Sequence, residues 1–65
     1  MAFKDKVLAA VAANPGRTDR ELTNMILGRR KDQQQVNGEA RHLANLGLLR
    51  RVKRDLDGYI GNYLE

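Results

Sequence analysis

Apolar side chains recur at helical spacing in the first part of the chain, and a turn signal follows them. Four apolar residues fall on one helical face, among alanines that favour helix: Phe3, Val7, Leu8 and Val11. An Asn-Pro-Gly sequence at 14–16 ends this pattern, because proline lacks an N–H and disfavours a helical residue before it. The pattern predicts a first helix at about residues 3–13.

A second helix is predicted at about residues 19–27. Thr18 and Glu21 have the spacing of a capping box, in which each side chain hydrogen-bonds the backbone N–H of the other residue. The apolar residues that follow are Leu22, Met25 and Ile26, and Gly28 fits the left-handed residue that commonly ends a helix. Residues 17–18 are predicted to form a very short extended piece before this helix.

A third helix is predicted at about residues 33–46. Asp32 and Gln35 have the spacing of an N-cap and capping box at its start. Its narrow apolar stripe consists of Val36, Ala40 and Leu43, which Gly47 would extend without a side chain. The connection to the second helix is short, so the two helices should pack as a tight helix-turn-helix pair.

The remainder predicts a β-hairpin at about residues 49–63. A turn signal at 55–58 is followed by the strand-forming residues Tyr59, Ile60 and Tyr63. Gly61 would weaken its strand or allow a helix to approach closely. The predicted fold is therefore one α+β domain, mainly helical, with three helices and a C-terminal β-hairpin.

Positive charge is concentrated in the middle of the chain. Residues 28–54 carry eight basic and two acidic side chains, whereas residues 55–65 carry three acidic and no basic ones. Such a cluster attracts polyanions, nucleic acid first among them. A solvated surface that keeps the protein soluble is the alternative interpretation.

The exposed side of the third predicted helix carries amide and guanidinium groups. These groups suit the reading of base edges in a major groove, and the candidates are Gln34, Asn37, Arg41 and Asn45. An ordinary hydrophilic helix surface is the competing interpretation, although such surfaces more often use Glu and Lys. Gly38, on the same side, would allow close approach of the backbone to DNA or to a partner helix, or would simply be tolerated in solvent.

The order of elements and two local motifs resemble the winged helix-turn-helix DNA-binding domains of bacterial transcriptional regulators. The motifs are NPGRTDRELTNMI at 14–26 and QQQVNGEARHLANLGLLRR at 33–51, the latter containing L-x-x-L-G-L-L-x-R. The resemblance implies sequence-dependent binding of double-stranded DNA, with the third helix in the major groove and the hairpin, as the wing, on the backbone. It also implies a homodimer or a place in a longer chain, because such regulators usually bind as dimers.

Basic residues that flank the third helix are candidates for phosphate contact. They are Arg29, Arg30 and Lys31 before the helix, and Arg51, Lys53 and Arg54 in the hairpin. Arg50 could instead cover the core with its aliphatic stem. Tyr59 and Tyr63 are expected to cover the core rather than to stack on bases.

The residue inventory argues against other function classes. The chain has no Ser and no Cys, and its single histidine, His42, has no nucleophile to activate and no partner ligands for a metal. We therefore expect no enzyme activity, no cofactor and no metal. No apolar run approaches the length of a membrane span, and the lack of Cys suits a reducing compartment, so we expect no membrane partner and a cytoplasmic location, in the nucleoid if the source is bacterial. The alternative function is a winged-helix interaction module that docks on an acidic protein.

Overall fold

The computed structural model describes residues 2–65 and has three helices followed by a two-stranded hairpin. The helices are α1 (Phe3–Ala13), α2 (Asp19–Ile26) and α3 (Gln34–Asn45). The strands are β1 (Leu49–Lys53) and β2 (Ile60–Leu64), which pair antiparallel. The predicted α+β fold is confirmed, with α2 one residue shorter at its end and α3 one residue shorter at each end than the pattern indicated.

One apolar core joins the three helices to the first strand. Its residues are at most 2% exposed and are Val7, Val11, Leu22, Val36, Ala40, Leu43 and Leu49. The apolar stripes predicted for the first and third helices therefore face the core, with Phe3 and Leu8 partly buried at its margin. Met25, placed on the apolar face of the second helix, is 47% exposed, since the inward side of α2 is formed by Leu22, Thr23 and Ile26.

The two predicted capping boxes differ in outcome. At α2 the predicted box is present: Glu21 N–H donates to Thr18 Oγ1 at 3.2 Å, and Thr18 N–H donates to Glu21 Oε1 at 2.9 Å. At α3 the box is wrong, because the N-cap is Gln33, whose side chain makes no capping hydrogen bond. Asp32 lies one residue too early, so its carboxylate accepts from the Gln34 N–H at 2.8 Å instead.

Glycines in the left-handed conformation end the second and third helices. Gly28 has a φ of +112° and Gly47 a φ of +79°. At α3 the Leu48 N–H reaches Leu43 O at 2.9 Å and the Gly47 N–H reaches Ala44 O at 3.0 Å, the pair of bonds that defines a Schellman motif. Gly47 therefore ends the third helix and does not extend its apolar stripe.

The hairpin joins the helices through the segment that precedes α2. Arg17 forms the predicted short extended piece and bridges Asn62 of β2. A Cβ on Gly61 would lie 2.8 Å from the backbone oxygen of Gly16, so the backbone that comes close belongs to the turn after α1 and not to a helix. The hairpin is thereby fixed against the body of the domain.

The two tyrosines do not share the role predicted for them. Tyr63 is half-buried, and its ring covers Gly16, with the Arg50 guanidinium 5.8 Å from the ring centroid. Tyr59 is 67% exposed, so the prediction that it covers the core is wrong. Within residues 2–65, no helix is long and apolar enough to cross a membrane.

Candidate nucleic-acid interface

A buried carboxylate joins α2, α3 and the hairpin. Asp19, at the start of α2, is 8% exposed. Arg51 of β1 donates to its two oxygens at 2.8 and 3.0 Å, and Asn62 of β2 donates at 2.9 Å. Asn37 of α3 donates at 2.6 Å. Four hydrogen bonds from three side chains therefore converge on one carboxylate.

The electrostatics of this cluster keep the carboxylate ionised. Burial alone would raise the pKa of Asp19, but the hydrogen bonds from Arg51, Asn62 and Asn37 outweigh burial, and the pKa lies below its ordinary value. Asn62 is fully buried and also donates to Arg17 O at 2.9 Å. No buried side-chain polar atom in the described part of the chain is left without a partner, so the cluster is fully satisfied.

A second arginine ties the tip of the hairpin to α2. Arg54 donates to Glu21 Oε1 at 2.8 Å and to Gly16 O at 3.1 Å, and it forms an ion pair with Asp57 across the turn. The pKa of Glu21 lies below its ordinary value, mainly because the Thr18 N–H donates to its carboxylate and secondly because Arg54 does. The hydrogen bond from Arg54 also holds the pKa of Asp57 below its ordinary value. The hairpin therefore has two attachments to α2, one through Arg51 and one through Arg54.

These attachments reduce the number of hairpin cations that are free to contact phosphate. Arg51 and Arg54, two predicted phosphate contacts, have side chains only 18% and 16% exposed and already have carboxylate partners. Phosphate contact by either one stays a prediction that requires sharing or breaking an ion pair. Lys53 is exposed and makes no side-chain hydrogen bond or ion pair within residues 2–65.

The base-reading candidates on α3 fall into two groups. Gln34, Arg41 and Asn45 are exposed, and their side chains make no hydrogen bond to any described residue. Asn37 lies at the edge of this face, half-buried and bound to Asp19. Gly38 has open space around it: apart from the backbone of its own helix, no described atom lies within 4 Å of the position that a Cβ would occupy. No partner helix of this chain approaches there.

The connection between α2 and α3 is organised by Arg20, which sequence reasoning did not single out. Its guanidinium donates to Lys31 O at 3.0 Å, Arg29 O at 3.3 Å and Gln33 Oε1 at 3.2 Å. The side chains of Arg29, Arg30 and Lys31 are exposed and form no ion pair within the described chain. No local pattern could have shown this, because the contacts join residues 9 to 13 positions apart across a turn.

A groove of about 610 Å³ lies between the start of α2, the start of α3 and the hairpin. Its walls include Arg20, Gln33, Asn37, Arg51 and Tyr59. Of the base-reading candidates on α3, only Asn37 lines this groove.

Comparison with known proteins gives one informative match. No family model and no curated protein matches the sequence. Among solved structures, the PcaV transcriptional regulator from Streptomyces coelicolor, determined in complex with its natural ligand, matches all of this chain with a TM-score of 0.86. This chain has the winged helix-turn-helix fold.

The match establishes the fold and gives names to its parts. The identity is 24%, and this chain spans 45% of the length of PcaV. In the winged-helix fold, α2 and α3 form the helix-turn-helix pair, and the hairpin of β1 and β2 is the wing. At this identity, the roles of single residues have to be argued from this chain's own geometry.

Proposed function

We propose that this chain binds double-stranded DNA in a sequence-dependent manner, as a transcriptional regulator or as the DNA-targeting domain of a larger protein. In this proposal α3 enters the major groove and reads bases through Gln34, Arg41 and Asn45, together with Asn37. The fold match to a transcriptional regulator supports DNA binding as the general function.

The observation that carries the proposal is the division of the polar groups into two sets. The arginines with carboxylate partners hold the wing and α2 together, as Arg51 and Arg54 do. Five of the cationic side chains without such partners lie on or next to the elements proposed to meet DNA: Arg41 on α3, Arg29, Arg30 and Lys31 in the connection before it, and Lys53 on the wing. The others in the described chain are Lys4 and Lys6 on α1, Arg20 on α2 and Arg50 over the Tyr63 ring. Unpaired cations beside exposed amides are what phosphate binding and base reading require.

The contacts within the protein also suggest how the surface is held in shape. Arg20 fixes the backbone of the connection, so its three cations project from a defined loop. The Asp19 cluster fixes the wing relative to α3. A surface ordered before binding avoids part of the entropy cost of ordering loops on DNA.

The setting of this function follows from the same proposal. The binding unit would be a homodimer or part of a longer chain, since two copies of the reading helix can span two half-sites. It would act where the DNA is, in the cytoplasm and nucleoid if the source is bacterial.

A salt titration of duplex binding tests the proposal. The affinity for a fluorescent mixed-sequence duplex is measured by anisotropy over a series of salt concentrations. Counterion release predicts a linear fall of log K with log salt, with a slope of about 0.9 for each phosphate contact. A slope near zero, or no binding at low salt, would contradict the proposal.

The alternative function, docking on an acidic protein, is supported by the apolar groups of the wing tip. Its tip exposes Leu56 at 87% and Tyr59 at 67%, and Asp55 lies beside them. The apolar groups suit a protein surface better than a phosphate strand, whereas Asp55 favours neither an acidic protein nor a phosphate strand. Replacing Leu56 with Ser would leave duplex affinity unchanged if the tip docks on protein only, and would weaken it if the tip inserts into the minor groove.

A further inference from the structure

The side-chain amide of Asn37 is held in one orientation by its neighbour. Its Nδ2 donates to Asp19 Oδ2 at 2.6 Å. The oxygens of an ionised carboxylate can only accept hydrogen bonds. The Asn37 side chain must therefore turn its NH₂ group, and not its amide oxygen, towards Asp19. The Asn37 Oδ1 and the second Nδ2 hydrogen have no partner within residues 2–65 and remain available at the edge of the exposed face of α3.

Asp19 is itself fixed, so it cannot follow Asn37 if the amide rotates. Arg51 engages both of its oxygens and Asn62 engages Oδ1, which orients the carboxylate plane. Residues of the wing and of α3 therefore donate to the same carboxylate, whose orientation is fixed. The orientation of Asn37 is a consequence of the wing contact and not of α3 alone.

We propose that Asp19 is a positioning residue that sets the base preference of the chain by holding Asn37 with its amide oxygen free to read adenine. This inference rests on the proposed function. Adenine presents the N6 amino donor and the N7 acceptor in the major groove, which match the free Oδ1 and the remaining Nδ2 hydrogen. Guanine and thymine present only acceptors at the corresponding edge and leave Oδ1 without a donor.

Exchanging Asp19 for Asn is the informative change. The new side chain keeps its oxygen on Arg51 Nη1 and Asn62 Nδ2, because Asn62 is fully buried and also held by Arg17 O. Its NH₂ group then faces Asn37 Nδ2 and Arg51 Nη2, which loses its acceptor. Two NH₂ groups cannot hydrogen-bond each other, so Asn37 must flip and direct its own NH₂ outwards. The expected result is that the preference for adenine moves to a base that presents only acceptors, guanine or thymine.

The experiment starts from a pool of randomised duplexes bound by the wild-type chain. The selected duplex is then varied one base pair at a time and tested against wild type, Asn37→Ala and Asp19→Asn. Asn37→Ala should lose about tenfold preference for adenine at one base pair, as expected for one bidentate contact. Asp19→Asn should reverse the preference at that same base pair and at no other.

Glu21→Gln is the matched control. It makes the same change of charge on the same helix and also faces a wing arginine, but Glu21 has no contact with Asn37. It should keep the adenine preference. An equal loss of preference in Glu21→Gln and Asp19→Asn would attribute the effect to the wing as a whole and overturn the inference.

The remaining outcomes separate the inference from the proposed function. If wild type binds no duplex, both fail; if it binds but Asn37→Ala keeps the preference, only the inference fails. If Asp19→Asn does not fold, the Asn37 side-chain amide signals of the wild-type chain are compared by NMR on duplexes with adenine and with guanine at the chosen base pair. A shift with adenine alone supports the inference, and equal shifts overturn it.

Discussion

Replacing Asp19 with Ala removes the acceptor of four side-chain hydrogen bonds while leaving their donors in place. The Arg51 side chain is only 18% exposed, so the variant leaves a largely buried cation without its partner. Breaking a buried pair in this way costs about 3–5 kcal/mol. Partial access of Arg51 to water places the expected loss at the lower end, about 3 kcal/mol.

That loss is large for a chain of 65 residues. At about 0.05–0.15 kcal/mol per residue, the whole free energy of unfolding is about 3–10 kcal/mol. Urea unfolding followed by circular dichroism measures the change, and the melting temperature should fall by roughly 10–25 °C. Asp55→Ala is the control, because Asp55 is exposed and its side chain has no hydrogen-bond partner within residues 2–65.

A double variant tests whether the loss comes from the unpaired cation. In Asp19→Ala with Arg51→Met, both charges are gone, and much of the lost stability should return. Two results would refute the reasoning that the buried Asp19 and Arg51 pair stabilises the fold. They are a loss of less than about 1 kcal/mol in the single variant and the absence of recovery in the double variant.

Four further predictions concern the core, the wing, acid stability and the surface for DNA. Leu43→Ala should destabilise the fold by about 2–5 kcal/mol, since the side chain is fully buried, and an unchanged melting temperature would contradict the core assignment. Gly61→Ala should cost about 1–3 kcal/mol in urea unfolding, because its Cβ would lie 2.8 Å from a backbone oxygen; Gly38→Ala, in open space, is the control. The pKa of Asp19 is lower in the folded protein than its ordinary 3.8, so the unfolded chain takes up the proton first. The contribution of Asp19 to the free energy of unfolding should be fully present above pH 3.8 and should be lost as the pH falls through the pKa of Asp19 in the folded protein. The free energy of unfolding should fall less steeply with acidification in Asp19→Asn. A rise on acidification would contradict this. Arg30→Ala with Lys31→Ala should weaken binding to all duplexes and reduce the salt slope by up to about 2; an unchanged slope would remove both residues from the contacts.

Local patterns predicted the fold well because its elements carry local signals. The spacing of Val36, Ala40 and Leu43 identified the buried face of α3, and the Thr18 and Glu21 pair located the start of α2. The capping box predicted for Asp32 was wrong because the prediction used spacing alone. Asp32 and Gln35 have the required spacing, but the helix begins one residue later than that spacing indicated, and the geometry of the box is lost.

The polar cluster could not be predicted from local patterns. Asp19 binds side chains 18, 32 and 43 residues away in the sequence, and such contacts exist only after the core has brought the elements together. For the same reason, Arg51 and Arg54 resembled free phosphate contacts in the sequence, while the structure pairs them with the carboxylates of α2. The solvent-facing positions of Arg41 and Asn45, which follow from helical periodicity alone, were correctly anticipated.

The surface that we propose for DNA consists of the exposed face of α3, the basic connection before it and the wing. An NMR titration of isotope-labelled protein with a mixed-sequence duplex, at low and at moderate salt, tests this most directly. We expect shifts concentrated in residues 29–45 and in the wing, which fade as the salt concentration rises. Absence of shifts at low salt, or shifts confined to α1, would contradict the proposal.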